Sequence, residues 1–161
     1  METMSSEENL DPVNKGFDEP RQIGQTYHNP NIFSHFERLR LNNLFMRAVE
    51  YPLILVCAGA GYGKTTAVYD FAKKHQANTI WIQLSEYDNA GTHFWENYIR
   101  SVELVNEYFA IRIKSIGFPD TVDKLNQYLV LAYNHLNVKR QIIVMDDFHL
   151  IDNPAVIGFV E

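Results

Sequence analysis

Apolar residues first recur at helical intervals between positions 34 and 49, at Phe36, Leu39, Leu44, Phe45 and Ala48. Ser34 and Glu37 stand ahead of them at capping-box spacing, so the pattern predicts a helix over about 34–49, stopped by Pro52. The continuous run Leu53-Ile54-Leu55-Val56-Cys57 has the form of a strand buried on both faces. A glycine-rich turn and a helix from about Lys64 to His75 follow. Thr79 to Leu84, rich in β-branched and aromatic residues, predicts a second strand. Thr92 is placed to cap a helix running to about Tyr108, with Phe94, Trp95, Tyr98, Ile99 and Val102 on one side. After the turn signal Gly117-Phe118-Pro119, another helix is expected from Thr121 to about His135. Gln141 to Met145 predicts a third buried strand, ending in Asp146-Asp147. Strands alternating with helices imply an α/β fold with a parallel sheet covered on both faces.

Charge divides the chain. Residues 1–20 carry six acidic side chains against Lys15 alone, whereas the other 141 residues hold 13 basic and 14 acidic groups. With few large apolar residues in that segment, we expect residues 1–30 to be an acidic tail and linker, and 31–161 to form one domain. The net charge of −6 and a near-neutral body argue against direct nucleic-acid contact, which needs clustered Lys and Arg. The single Cys57 and the lack of a basic-then-apolar leader fit a reducing, cytoplasmic setting. The longest apolar stretch, about Leu53 to Ala60, is too short to span a membrane.

Candidate chemistry centres on Ala58-Gly59-Ala60-Gly61-Tyr62-Gly63-Lys64-Thr65, the phosphate-loop (Walker A) pattern with Ala in its first position. Triphosphate oxygens need several converging N–H donors, and only a chain with little side-chain bulk curls tightly enough to supply them. Lys64 is then placed for the β- and γ-phosphates, Thr65 for Mg²⁺ and Thr66 for the α-phosphate, with the positive end of a helix beneath them. The loop falls between a predicted strand and a predicted helix, where this mechanism requires it. Asp146 closes an apolar run in the manner of a Walker B carboxylate that holds Mg²⁺, and Asp147 is placed to orient or deprotonate an attacking water. In a parallel sheet the loop and Asp146 should meet at the C-terminal edge.

These residues resemble the nucleotide-binding domain of the large ATP-binding LuxR-type (MalT-like) transcriptional regulators of the STAND class. The likeness rests on the Leu39 to Leu44 helix, the loop through Tyr62-Gly63-Lys64-Thr65-Thr66, Trp81 to Trp95, and Ile142 to Pro154 with its Asp146-Asp147-Phe148-His149. The resemblance implies a three-layer P-loop NTPase that uses ATP and Mg²⁺ as a switch, self-associates in its ATP form, and acts on transcription through a distant helix-turn-helix. It also implies that a strand following the Walker B strand inserts between that strand and the loop strand. The sheet would then be incomplete here, and the chain an N-terminal piece of a longer protein.

Three functions are consistent with the sequence. The first is the ATP-binding module of a signal-dependent transcriptional regulator, at most a slow ATPase. The second is a self-contained P-loop enzyme such as a small-molecule kinase, disfavoured because only Arg100, Arg112 and Arg140 follow the loop to form a lid. The third is an interaction fragment that associates with itself or with a longer homologue. Glu86 and Asp88, on the expected ligand edge, are weaker candidates for water or Mg²⁺ contact. Phe33 and Phe36 are weak candidates for adenine contact. The six histidines show no metal-type spacing.

Overall fold

The computed structural model describes residues 38–75, 78–136 and 141–161. The predicted tail, the capping box at Ser34 and Glu37, and Phe33 and Phe36 lie outside the described residues. Helix α1 spans Leu39–Ala48 and α2 spans Lys64–Lys74. Strand β1 covers Asn78–Gln83 and is followed by a single 3-10 turn, Glu86–Asn89. Helices α3 (Gly91–Glu103), α4 (Glu107–Ile116) and α5 (Val122–Leu136) come next. Strand β2 covers Gln141–Asp146, and after a 3-10 turn at Phe148–Leu150 helix α6 runs from Pro154 to Val160. The two strands pair in parallel, with Asn78 beside Gln141 and Gln83 beside Asp146. This small parallel sheet among helices is compatible with an α/β fold.

Three expectations need correction. Leu53–Cys57 is not a strand. It makes no backbone hydrogen bond among the described residues, and Leu53 and Leu55 are 63% and 79% exposed. An apolar run states a preference for burial, but a strand exists only where a neighbouring chain completes its ladder. The same cause leaves β2 half-buried instead of buried, with Ile143 38% exposed and no strand on its outer edge among the described residues. The helix expected to run from Thr92 to about Tyr108 is two helices. Asn106 accepts a hydrogen bond from the Phe109 N–H at 3.0 Å and caps α4, which stops α3 three residues earlier. Thr92 caps nothing, because α3 starts at Gly91.

The core lies on the other face of β1, where Ile80, Ile82 and Leu84 are sealed against α3, α4 and α6 through Phe94, Val102, Phe109, Ile113 and Val156. Aromatic rings supply much of its volume: Trp95 stacks on Tyr98 at 5.3 Å, and Phe159 closes on both edge-on. Within this cluster the Tyr98 and Tyr128 hydroxyls meet at 2.6 Å. Burial pushes both phenols above their ordinary pKa, Tyr98 furthest, with the neighbouring Tyr128 adding to its shift. On the opposite face Tyr69 of α2 meets Trp81 edge-on at 6.3 Å, and Phe71 of α2 packs on Phe45 of α1 at 5.2 Å. Helix α2, and the loop at its start, are thereby carried against the sheet.

Candidate phosphate-loop site

The loop's conformation follows from its glycines. Gly61 and Gly63 have φ of 77° and 74°, left-handed values that an L side chain adopts only at a cost. Gly59 serves by lacking a side chain, since a Cβ there would stand 3.1 Å from the Tyr62 ring. Gly63 is the residue that opens α2, and its carbonyl accepts from the Ala67 N–H at 3.0 Å. The first amides of α2 have no earlier carbonyl to bond, so they and the helix dipole favour an anion at this end. Lys64, first residue of α2, folds back over the loop: its Nζ donates to the carbonyls of Ala58 at 2.9 Å and Gly59 at 3.2 Å. A phosphate would have to draw that ammonium away from two carbonyl oxygens. Ala58, Ala60 and Tyr62 are exposed in the same curl, and Thr66 lies half-buried one residue beyond Thr65.

The sheet edge meets the loop at one bond. Thr65 Oγ1 donates to Asp146 Oδ1 at 3.2 Å, across 81 residues of sequence. A hydroxyl and a carboxylate at that separation are an oxygen donor pair suited to Mg²⁺, which typically takes one or two carboxylate ligands and completes its shell with phosphate oxygens and water. Among the described residues there is no cluster of three or more His, Cys, Asp or Glu side chains that would form a metal cage by itself. Asp147 sits beside this pair with φ +57°, the one non-glycine residue with a left-handed backbone among those described. Its N–H donates to Asp146 Oδ1 at 3.1 Å, its Oδ2 accepts from Gln83 Nε2 at 2.7 Å, and its Oδ1 is 3.8 Å from His149 Nδ1.

Two neighbours escaped the sequence reading. Arg38, just before α1, donates from Nη1 to the Tyr62 carbonyl at 3.1 Å, and nothing in its local pattern marks it. Gln83 could have been found as the one polar residue closing the apolar run of β1 at the sheet's C-terminal edge. The weaker candidates after β1 are placed elsewhere. Asp88 is buried, with Oδ2 accepting from the Ser85 N–H and hydroxyl at 2.8 and 2.7 Å, and Oδ1 from Asn97 Nδ2 at 3.1 Å. It is a scaffold residue and not a water or Mg²⁺ contact. Glu86 is exposed in the same turn. Asn89 ties this turn to the segment after β2: its Nδ2 donates to the Leu150 carbonyl, and its Oδ1 accepts from the N–H groups of Asp152 and Asn153.

No described helix is long and apolar enough to cross a membrane. No known protein-family model matches the chain, and no solved structure matches it. Curated proteins do. The chain is 29% identical over 117 residues to the HTH-type transcriptional regulator MalT of Yersinia pestis (strain Pestoides F), a stretch that covers 68% of this chain and 12% of that protein. The same figures hold for MalT of Yersinia pseudotuberculosis serotype O:3 (strain YPIII). Against MalT of Vibrio parahaemolyticus the identity is 24% over 121 residues, 74% of this chain and 13% of that regulator. The chain thus spans about one eighth of the length of the curated relatives it matches, and its likeness is to a segment of large transcriptional regulators of the MalT type.

Proposed function

We propose that this chain is the ATP- and Mg²⁺-binding P-loop part of a signal-dependent transcriptional regulator of the MalT/LuxR type, acting as a nucleotide switch with slow hydrolysis at most. The observation that carries the reading is the Thr65–Asp146 bond, which joins the residue after the loop lysine to the carboxylate at the end of the apolar strand. In this reading the Ala58–Gly63 curl and the first amides of α2 hold the phosphates, and Thr66 stands at the α-phosphate. Lys64 leaves the Ala58 and Gly59 carbonyls for the β- and γ-phosphates, so the loop trades two ammonium–carbonyl bonds for bonds in which both partners are charged. Thr65 and Asp146 hold Mg²⁺, which neutralises charge on the phosphate oxygens. Asp147 accepts from the attacking water. The β1–β2 pair and its helices would be part of a three-layer P-loop domain.

Titration of purified chain with ATP and Mg²⁺ tests the site. Lys64→Ala should weaken ATP binding by at least tenfold, whereas an unchanged affinity would remove Lys64 from the phosphates. A second reading, association with another polypeptide, is favoured by the exposed apolar run Leu53–Val56 and the open edge of β2. Sedimentation with and without ATP reports its self-association form directly: a single monomer species in both conditions rules that form out.

A further inference from the structure

Gln83 is the last residue of β1 and stands in register with Asp146 on β2. Its backbone is pinned from two sides. The next residue's N–H, on Leu84, donates to the Asp146 carbonyl at 3.1 Å, and its own carbonyl accepts from Asn97 Nδ2 at 2.9 Å. Asn97 in turn donates to the buried Asp88, so this corner of β1 is fixed to α3 and to the turn that follows the strand. From that fixed base the Gln83 side chain reaches across the strand pair and donates from Nε2 to Asp147 Oδ2 at 2.7 Å, the shortest contact either carboxylate makes. Asp147 needs such a hold. Its left-handed backbone costs on the order of 1 kcal/mol or more and persists only where the surroundings determine it. Among the described residues three bonds hold it: its N–H donates to Asp146 Oδ1, its carbonyl accepts from the Leu150 N–H at 3.0 Å, and its side chain accepts from Gln83, the only one of the three that fixes the carboxylate itself.

We infer that Gln83 is the positioning residue for Asp147 in ATP hydrolysis. Its amide engages Oδ2 and sets the rotamer, so that Oδ1, beyond hydrogen-bond reach of His149 Nδ1 at 3.8 Å, accepts from the attacking water. In that step the water oxygen bonds to the γ-phosphorus as its proton passes to Oδ1. The bond from that phosphorus to the β–γ bridging oxygen breaks, and its electron pair leaves with ADP. The inference rests on the nucleotide-binding reading above and goes beyond it in assigning a residue that the loop and Walker B patterns do not contain. Gln83 touches Asp147 and not the loop, so its removal should act on turnover and leave binding intact.

The experiment compares Gln83→Leu, which keeps the bulk and loses the donor, with Gln83→Glu, which keeps the shape but offers an acceptor in place of the donor. Both should lower kcat for ATP about tenfold while the calorimetric ATP affinity stays within twofold. In an Asp147→Asn background, Gln83→Leu should have no further effect on kcat. A readout without nucleotide accompanies these: in ¹⁵N-labelled chain the Gln83 side-chain amide protons should be shifted downfield by the bond to a carboxylate, and Asp147→Asn should return them to ordinary values. The inference is overturned by unchanged kcat in both variants, by additive effects with Asp147→Asn, or by an amide signal indifferent to Asp147. A chain that binds ATP but shows no turnover overturns it too, while leaving the binding site standing. A chain that binds no ATP refutes the earlier reading instead.

Discussion

Asn89→Ala probes how the site's two walls are held together. The Asn89 side chain makes four hydrogen bonds: Nδ2 donates to the carbonyls of Leu150 at 2.9 Å and Glu86 at 3.2 Å, and Oδ1 accepts from the N–H groups of Asp152 at 2.8 Å and Asn153 at 3.1 Å. The Leu150 and Asn153 contacts are partly buried, so truncation leaves those groups poorly solvated, while the Glu86 and Asp152 groups recover water. An ordinary hydrogen bond contributes a net of about 1 kcal/mol and an orphaned buried group costs more, so the loss should be about 2–3 kcal/mol. Urea unfolding followed by circular dichroism reads it. With an m-value of about 2 kcal/mol per molar, the midpoint should fall by about 1–1.5 M. Asn134→Ala, at an exposed position on α5, is the control and should move stability by less than about 0.5 kcal/mol. A midpoint shift for Asn89→Ala no larger than the control's would refute the claim that this side chain joins the turn after β1 to the segment after β2.

Other predictions follow from single contacts. Tyr98→Phe should cost about 1–3 kcal/mol because it orphans the buried Tyr128 hydroxyl, whereas the double change with Tyr128→Phe should cost less than the single one, as denaturant titration of both will tell. Both phenols have folded-state pKa values above the unfolded one, so their contribution is complete below about pH 10 and is lost as pH rises past it. The double phenylalanine variant should flatten that alkaline decline in a stability-against-pH series. Gly63→Ala should lower stability by about 1–2 kcal/mol through its left-handed φ. It should also weaken ATP binding more than Gly61→Ala, because the added Cβ stands 3.2 Å from Arg38 Nη2 while the one at Gly61 meets open space.

Much of the helix content was legible because helices state themselves locally. The periodic faces of α2 and α5 and the Pro52 stop are written in consecutive residues. Sheet structure is not local in this sense. Leu53–Cys57 and Gln141–Asp146 look alike as apolar runs, yet one has a parallel neighbour in β1 and the other has none among the described residues. The split between α3 and α4 was hidden because Asn106 reads as an ordinary polar residue until its side chain is seen to accept from Phe109. At the site, the meeting of Thr65 with Asp146 was anticipated, although the strand expected to lead into the loop is not part of the described sheet. Arg38 acts through a side chain that crosses between elements, and a linear pattern carries no record of that, whereas Gln83 left a trace only as the polar end of an apolar run. Asp88 was only a weak candidate: an acidic residue on the ligand edge raises the idea of a ligand, but Ser85 and Asn97 already engage its oxygens.

The central claim is that the Ala58–Thr66 loop and Asp146 together hold a magnesium nucleotide. Isothermal titration of the purified chain with ATP, in the presence of Mg²⁺ and again with the metal chelated, tests it most directly. The account predicts saturable binding of one ATP per chain that weakens markedly without Mg²⁺ and loses that metal dependence in Asp146→Asn. A folded chain that gives no heat with ATP, or equal affinity with and without Mg²⁺, would contradict it.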